Sequence, residues 1–188
     1  MRRIEITSSG DERFEEFRRL YGTSFPIFEK RTEDQQEYAF GCSQYHLAEY
    51  WEGSTFIGFI SYWEFDSLIY IEHLAIDTTL RGKGYGSQML DSFLASTSKT
   101  IILEIDPVVD EISRARLRFY ERCGFRHNGY QHRHPAYREG YQPHPLVVLS
   151  SRRQMTPEEY DEFSRNLKEI VMKEPSTGTG RPSSQPQG

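Results

Sequence analysis

The sequence predicts an α/β fold of the α+β type, built on one mixed, mainly antiparallel sheet flanked by helices. Three observations carry this. Strand-like and helix-like runs follow the order β-α-α-β-β-β-α-β-α-β, with one further helix behind them. The strand-like runs 45–52, 55–65 and 68–77 are parted only by the turn residues Gly53-Ser54 and Asp66-Ser67, which implies an antiparallel meander. A chain of 188 residues with 36% apolar and 14% aromatic content can bury one sizeable core.

Residues 2–7 (RRIEIT) alternate and predict a first strand. Ser9 and Glu12 stand at capping-box spacing before Phe14, Phe17, Leu20 and Tyr21, which recur at helical spacing. Pro26 ends that helix, and residues 27–40 predict a second short helix and a connection. After the meander comes TLRGKGYGSQML (79–90), then Met89, Leu90, Phe93 and Leu94 on one helical face. TIILEID (100–106) reads as a buried strand, ISRARLRFYERCG (112–124) as a helix stopped by Gly124, and PLVVLS (145–150) as a last strand. Thr156-Pro157-Glu158-Glu159 combines an N-cap, a first-position proline and a reciprocal glutamate, so a helix over 156–172 is expected. Its apolar face is Tyr160, Phe163, Leu167, Ile170 and Val171. The expected division is a domain over 3–150, a C-terminal helix packed on it within 151–172, and a disordered tail over 173–188, which has nothing to bury.

A formal charge of -5 without a long basic stripe speaks against nucleic acid as a partner. Cys42 and Cys123 form no CxxC and cannot make a disulfide framework, which fits a reducing compartment. The chain has no apolar run of signal-peptide length and none near the ~20 residues of a membrane span. A soluble cytoplasmic protein with no membrane partner is therefore expected. Segment 126–145 concentrates histidines and tyrosines, but His132-x-His134 is an incomplete ligand set, so no metal is expected.

Gly82, Gly84 and Gly86 fit neither a P-loop nor a dinucleotide fingerprint, because Lys83 is followed by Gly84 and the spacing is GxGxG. Two readings remain: a flexible strand-to-helix turn, or a loop whose bare N–H groups face an anion at a helix N-terminus. The flanks add more. Arg81-x-x-Gly84-x-Gly86 follows HLAID, and Phe119-Tyr120-Glu121-Arg122-Cys123-Gly124-Phe125 follows later, with TIILEID between them. This pattern, over roughly residues 3–150, resembles the GNAT superfamily of acetyl-CoA-dependent N-acetyltransferases. The resemblance implies that strands 68–77 and 100–106, the fourth and fifth, run parallel and splay apart. It implies acetyl-CoA as co-substrate, with the pantetheine arm pairing near Leu74, Ala75 and Ile76. Backbone amides across Arg81, Gly82, Lys83, Gly84, Tyr85 and Gly86 would hold the pyrophosphate. The chain departs from a common family pattern at Arg114, where many members carry an asparagine, and its loop 107–111 looks longer.

Acetyl transfer to an amine needs the neutral amine. For a lysine-like amine of pKa about 10.4 this is a deficit of about 4.6 kcal/mol at pH 7, so a general base matters. Glu72 is the first candidate base. By alternation it shares a face with Tyr70, Leu74 and Ile76, while His73 points away, and burial is expected to raise its pKa. Glu104 is the second candidate and His73 a remote third. The resemblance gives Tyr120 the role of acid toward the departing thiolate. The resemblance implies that the loop carrying Tyr130, His134 and Tyr137 lies over the acceptor side; the alternative is a solvent-exposed loop. Arg114, Arg116, Arg118 and Arg122 read as a solvated helix face, and Phe28-Glu29-Lys30-Arg31 as one end of the acceptor groove. Cys123, the one candidate acyl-carrying nucleophile, reads as core, which leaves direct transfer to a small-molecule or peptide amine. The competing readings are an acyl-CoA-binding or sensing module without turnover and a transferase of another acyl group; a homodimer stays open.

Overall fold

The computed structural model describes residues 1–174; the tail expectation for 175–188 lies outside them. The strands are β1 (Arg2–Ile6), β2 (Tyr45–Glu52), β3 (Thr55–Glu64), β4 (Leu68–Ile76), β5 (Thr100–Ile105), β6 (Phe125–His127), β7 (His132–His134) and β8 (His144–Ser151). They form one sheet in the order β1-β2-β3-β4-β5-β8-β6, with β7 also on β8. β2, β3 and β4 are the expected antiparallel meander, and β1 pairs antiparallel with β2. β4 and β5 are parallel, and β5 to β8 is antiparallel again. β6 and β7, which the sequence reading missed, pair in succession with one edge of β8.

The helices are α1 (Phe14–Ser24), α2 (Glu33–Phe40), α3 (Tyr85–Ala95), α4 (Glu111–Arg122) and α5 (Pro157–Asn166), the last continuing as a π turn over Leu167–Val171. Side chains of α1, α2 and α5 share one core with Phe59, Trp63, Tyr70 and Ile102. Met89, Leu90 and Phe93 of α3 share the other with Ile60, Ile69, Ile71, Ile101 and Leu103, against which Tyr120 of α4 packs. The sheet therefore has an α1/α2/α5 face and an α3/α4 face.

Helix starts follow local chemistry. Capping boxes close the starts of α2 (Thr32 with Gln35), α4 (Asp110 with Ser113) and α5 (Thr156 with Glu159). The expected box at Ser9 and Glu12 does not form; α1 begins after a turn in which Phe14 N–H donates to Asp11 O. Pro26 follows the end of α1, and Gly124 takes φ 88° just past α4, where a left-handed residue ends a helix.

Two features of the sheet position the site. The β4–β5 ladder runs only from Leu68↔Thr100 to Ile71↔Leu103. Beyond it β4 keeps β3 on one edge and, among the described residues, has no strand on the other. On the β3 side, Ser61 pairs with His73 and Tyr62 with Ile71, so Glu72 is an extra, bulged residue. The bulge breaks the alternation. Ile69 and Ile71 face α3/α4 together with Leu74 and Ile76, whereas Tyr70 and Ala75 belong to the opposite core. This corrects the expectation that Tyr70, Glu72, Leu74 and Ile76 share one face and that His73 points away from Glu72.

Candidate active site

Where the β4–β5 ladder stops, a cleft of about 800 Å³ opens through the sheet. One end is the glycine loop. Asp77 starts a short 3-10 turn over Thr78–Leu80, its carboxylate accepting from the N–H and hydroxyl of Thr79. Gly82 and Gly84 then take φ 76° and 82°, a region that side chains disfavour. Gly84 caps α3 with no side-chain hydrogen bond. Among the described residues, the N–H groups from Gly82 to Ser87 find no protein acceptor. These donors and the positive end of α3 are arranged so that they could hold an anion. Leu74, Ala75, Ile76, Arg81, Gly82, Gly84 and Gly86 line the cleft. Lys83 and Tyr85 lie on the loop but off the cleft wall, with the Tyr85 hydroxyl donating to Glu52 at 2.6 Å.

The middle of the cleft holds the three expected proton-handling side chains. Glu72, from the bulge, has a fully buried carboxylate 2.8 Å from Arg31 Nε. It accepts from Trp63 Nε1 (2.7 Å) and the Tyr137 hydroxyl (2.9 Å). Burial works to raise its pKa, but the Arg31 charge, then His73, Trp63 and Tyr137, outweigh it, and the pKa falls below the ordinary carboxylate value. The expected upward shift is thus reversed. Arg31 sits over the rings of Trp63 and Tyr137 and donates through Nη2 to Val171 O at 2.8 Å, so this ion pair also ties down the end of the C-terminal helix.

Glu104 is likewise buried. It accepts from the Tyr70 hydroxyl at 2.5 Å and from His132 Nε2, whose Nδ1 meets the Tyr160 hydroxyl of α5 at 2.9 Å. Against the burial that would raise it, His134, His132 and Tyr70 lower its pKa. Glu72 and Glu104 both lie on the α1/α2/α5 side. Tyr120 approaches from α4 on the other side, and burial pushes its phenol up to about 12. The cleft therefore joins the two faces of the sheet at the level of these residues.

The remaining expectations divide. His134 and Tyr137 line the cleft with His144, whereas Tyr130 stacks on Tyr160 and donates to Met155 O. Arg116 and Arg122 line the cleft, Arg116 paired with Asp106, while Arg114 and Arg118 pair with Glu111 on the outer face. The reading of residues 126–145 passed over His132 as a partner of Glu104. Its only signal was alternation in Gln131–Pro135, which puts His132 and His134 on one side of a strand. Among the described residues, no group of three or more His, Cys, Asp or Glu side chains is placed to hold a metal ion, and no helix is long and apolar enough to cross a membrane.

A sheet that parts beside a glycine-opened helix, with ionisable side chains at the gap, is the arrangement that the resemblance to acetyl-CoA-dependent acetyltransferases implied. The comparisons agree. The family model described as "Acetyltransferase (GNAT) family" matches residues 14–125, more than half of the chain, and the chain belongs to that family. Its fold is similar to that of a GNAT-family protein from Bacteroides thetaiotaomicron, with a TM-score of 0.85 and 28% identity over 92% of this chain and 98% of that one. A Bacillus subtilis acetyltransferase solved in complex with CoA shares the fold at a TM-score of 0.55, with 18% identity over 80% of this chain and 97% of that one. Among curated proteins, "Putative acetyltransferase YjbC" of Bacillus subtilis (strain 168) is 39% identical over 66 residues, a match spanning 34% of each chain.

Proposed function

We propose that the protein is an N-acetyltransferase that moves an acetyl group from acetyl-CoA directly to a primary amine of a small molecule or peptide. The observation that carries this is the continuity of the cleft. It runs from the unpartnered N–H groups at Gly82–Ser87, along the free edge of β4, to the ionisable cluster at Glu104 and Tyr120. The loop amides would hold the pyrophosphate, and the unpaired edge at Leu74, Ala75 and Ile76 would hydrogen-bond the pantetheine amides in place of the missing strand.

In this reading the thioester sits in the gap, with Tyr120 on the α4 side and the amine arriving from the α1/α2/α5 side. The amine nitrogen attacks the thioester carbon, and strand N–H groups stabilise the oxyanion. Collapse expels the CoA thiolate, which takes the Tyr120 proton as the C–S bond breaks. The basic group belongs to the Glu104 side. Glu72, the first expectation, is already committed to Arg31, Trp63 and Tyr137, and we assign it to holding Tyr137 and the bulge in place. The test is calorimetric titration with acetyl-CoA, then thiol release with acetyl-CoA and a panel of spermidine, free lysine, an aminoglycoside and a peptide with a free N-terminus. Binding with amine-dependent thiol release supports transfer. Binding without release by any amine points to a sensing module.

A further inference from the structure

We infer that the atom that takes the proton from the attacking amine is Nε2 of His134, with Glu104 as its counter-ion. This rests on the proposed acetyl transfer and goes beyond it by moving the base from a carboxylate to an imidazole.

Four observations lead there. His134 is 2% exposed, yet its ring lines the cleft. Its Nδ1 lies 2.6 Å from the carbonyl oxygen of Pro135, and because a carbonyl only accepts, Nδ1 carries the hydrogen. In the neutral ring this leaves a bare lone pair on Nε2. That nitrogen is buried and, among the described residues, has no hydrogen-bond partner, an unusual state for a buried polar atom. Finally, Glu104 Oε2 stands 3.8 Å away, beyond a hydrogen bond but close enough to stabilise an imidazolium.

The neighbourhood explains why Glu104 itself is the poorer base. Its oxygens already accept from Tyr70 and His132, so a proton landing there would displace a satisfied donor. His132 uses both ring nitrogens, toward Glu104 and Tyr160. His134 has one nitrogen committed and one open. The groups facing it come from every side: Glu104 on β5, His73 on β4 with the Glu72–Arg31 pair behind, His144 on β8 at 5.6 Å between ring centres, and Tyr137 stacked at 4.9 Å. Glu104 favours the charged ring, whereas His73, His144 and Arg31 would oppose it if all were charged; burial keeps His73 and His144 more readily neutral than usual.

The step balances. As the C–N bond forms, the thioester π pair moves to oxygen, and the now cationic nitrogen gives one proton to Nε2. The C–S bond then breaks, the C=O re-forms, and the thiolate takes the Tyr120 proton. The imidazolium and the phenolate return to their starting states by exchange with solvent.

Two measurements test this, one without any acceptor. In protein labelled with ¹⁵N-histidine, the neutral form of His134 should appear as the Nδ1–H tautomer. An Nε2–H tautomer overturns the proposal. With the best amine of the panel, His134→Gln should lower kcat/KM about 10²-fold at pH 7, the loss shrinking as pH rises, with acetyl-CoA affinity within threefold. An unchanged pH–rate profile in both His134→Gln and His134→Asn overturns it. If acetyl-CoA binds but no amine releases thiol, the acetyl-transfer reading has failed, even where the tautomer stands.

Discussion

At the scale of single residues, the same chemistry gives opposite effects in different partners. Glu49 of β2 is fully buried; one oxygen accepts from Trp51 and the other lacks a partner, and burial pushes its pKa up to about 7. Its folded-state pKa lies above its unfolded value, so its cost is absent below about pH 4 and grows as pH rises toward 7. Glu49→Gln should therefore raise the melting temperature at pH 8, by roughly 5 °C, and change it little at pH 4.5. Thermal unfolding at the two pH values checks this. Tyr120→Phe should bind acetyl-CoA within a few-fold of wild type and lose kcat/KM more at low pH than at high pH, because a thiolate of pKa about 8.5 leaves unaided more readily when it needs no proton. Tyr120 and the glycines could be picked out in the sequence because they stand in motifs. The partners of Glu72 could not, because Arg31, Trp63 and Tyr137 reach it from three separate segments that no local pattern joins.

At the scale of elements, the glycine loop and the β3–β4 pair make distinct predictions. Gly84→Val forces a branched side chain into φ 82°, and Gly86→Val fills the space in front of Phe119 and Ile76, where a Cβ alone already sits 3.5 Å from the ring. Each should weaken acetyl-CoA binding at least tenfold by calorimetry while the fold is retained. Gly58 is different. A Cβ there would lie 2.2 Å from the carbonyl oxygen of Ala75, so β3 can approach the Ala75–Ile76 end of β4 only with glycine. Gly58→Ala should destabilise by about 2–3 kcal/mol in urea unfolding and displace the strand edge at Ala75. The meander, the parallel pair and the main helices were legible because their periodicities and caps are local. The bulge was not: one extra residue in β4 is set by pairing with β3, and it turned the expected face of His73 around. β6 and β7 were hidden for a related reason, since three-residue strands leave no period to read.

At the scale of the whole molecule, Glu72 is held below the ordinary carboxylate range chiefly by Arg31, and Glu104 by His134, His132 and Tyr70, each against the burial that would raise it. Their contribution to stability is fully present above the unfolded value near 4.3 and is lost as pH falls below it. Acid should thus unfold the protein steeply below about pH 4, and Glu72→Gln with its Arg31 partner kept should weaken the protein at pH 7 by leaving a buried charge unpaired. A melting series from pH 7 to pH 3.5 on wild type and variant reads both. The C-terminal helix belongs to the same unit. Phe163, Leu167 and Val171 are buried in the core of the α1/α2 face, Val171 O receives Arg31, and Tyr160 meets His132. A chain ending before Thr156 should therefore lose solubility or a large part of its melting temperature. The sequence showed that this helix exists, but not that it braces the carboxylates.

The interrupted ladder has a mechanical consequence. Among the described residues, only four residue pairs, Leu68↔Thr100 to Ile71↔Leu103, join the β1–β4 half of the sheet to the β5–β8 half by strand pairing. The seam is stitched at one end and open at the other, so the two halves can breathe about those four pairs. A bound pantetheine arm would act as a removable suture along the open length. Amide hydrogen exchange at Leu74–Ile76 and at Glu104–Ile105 should then slow together when acetyl-CoA is added, with β1 and β2 unchanged.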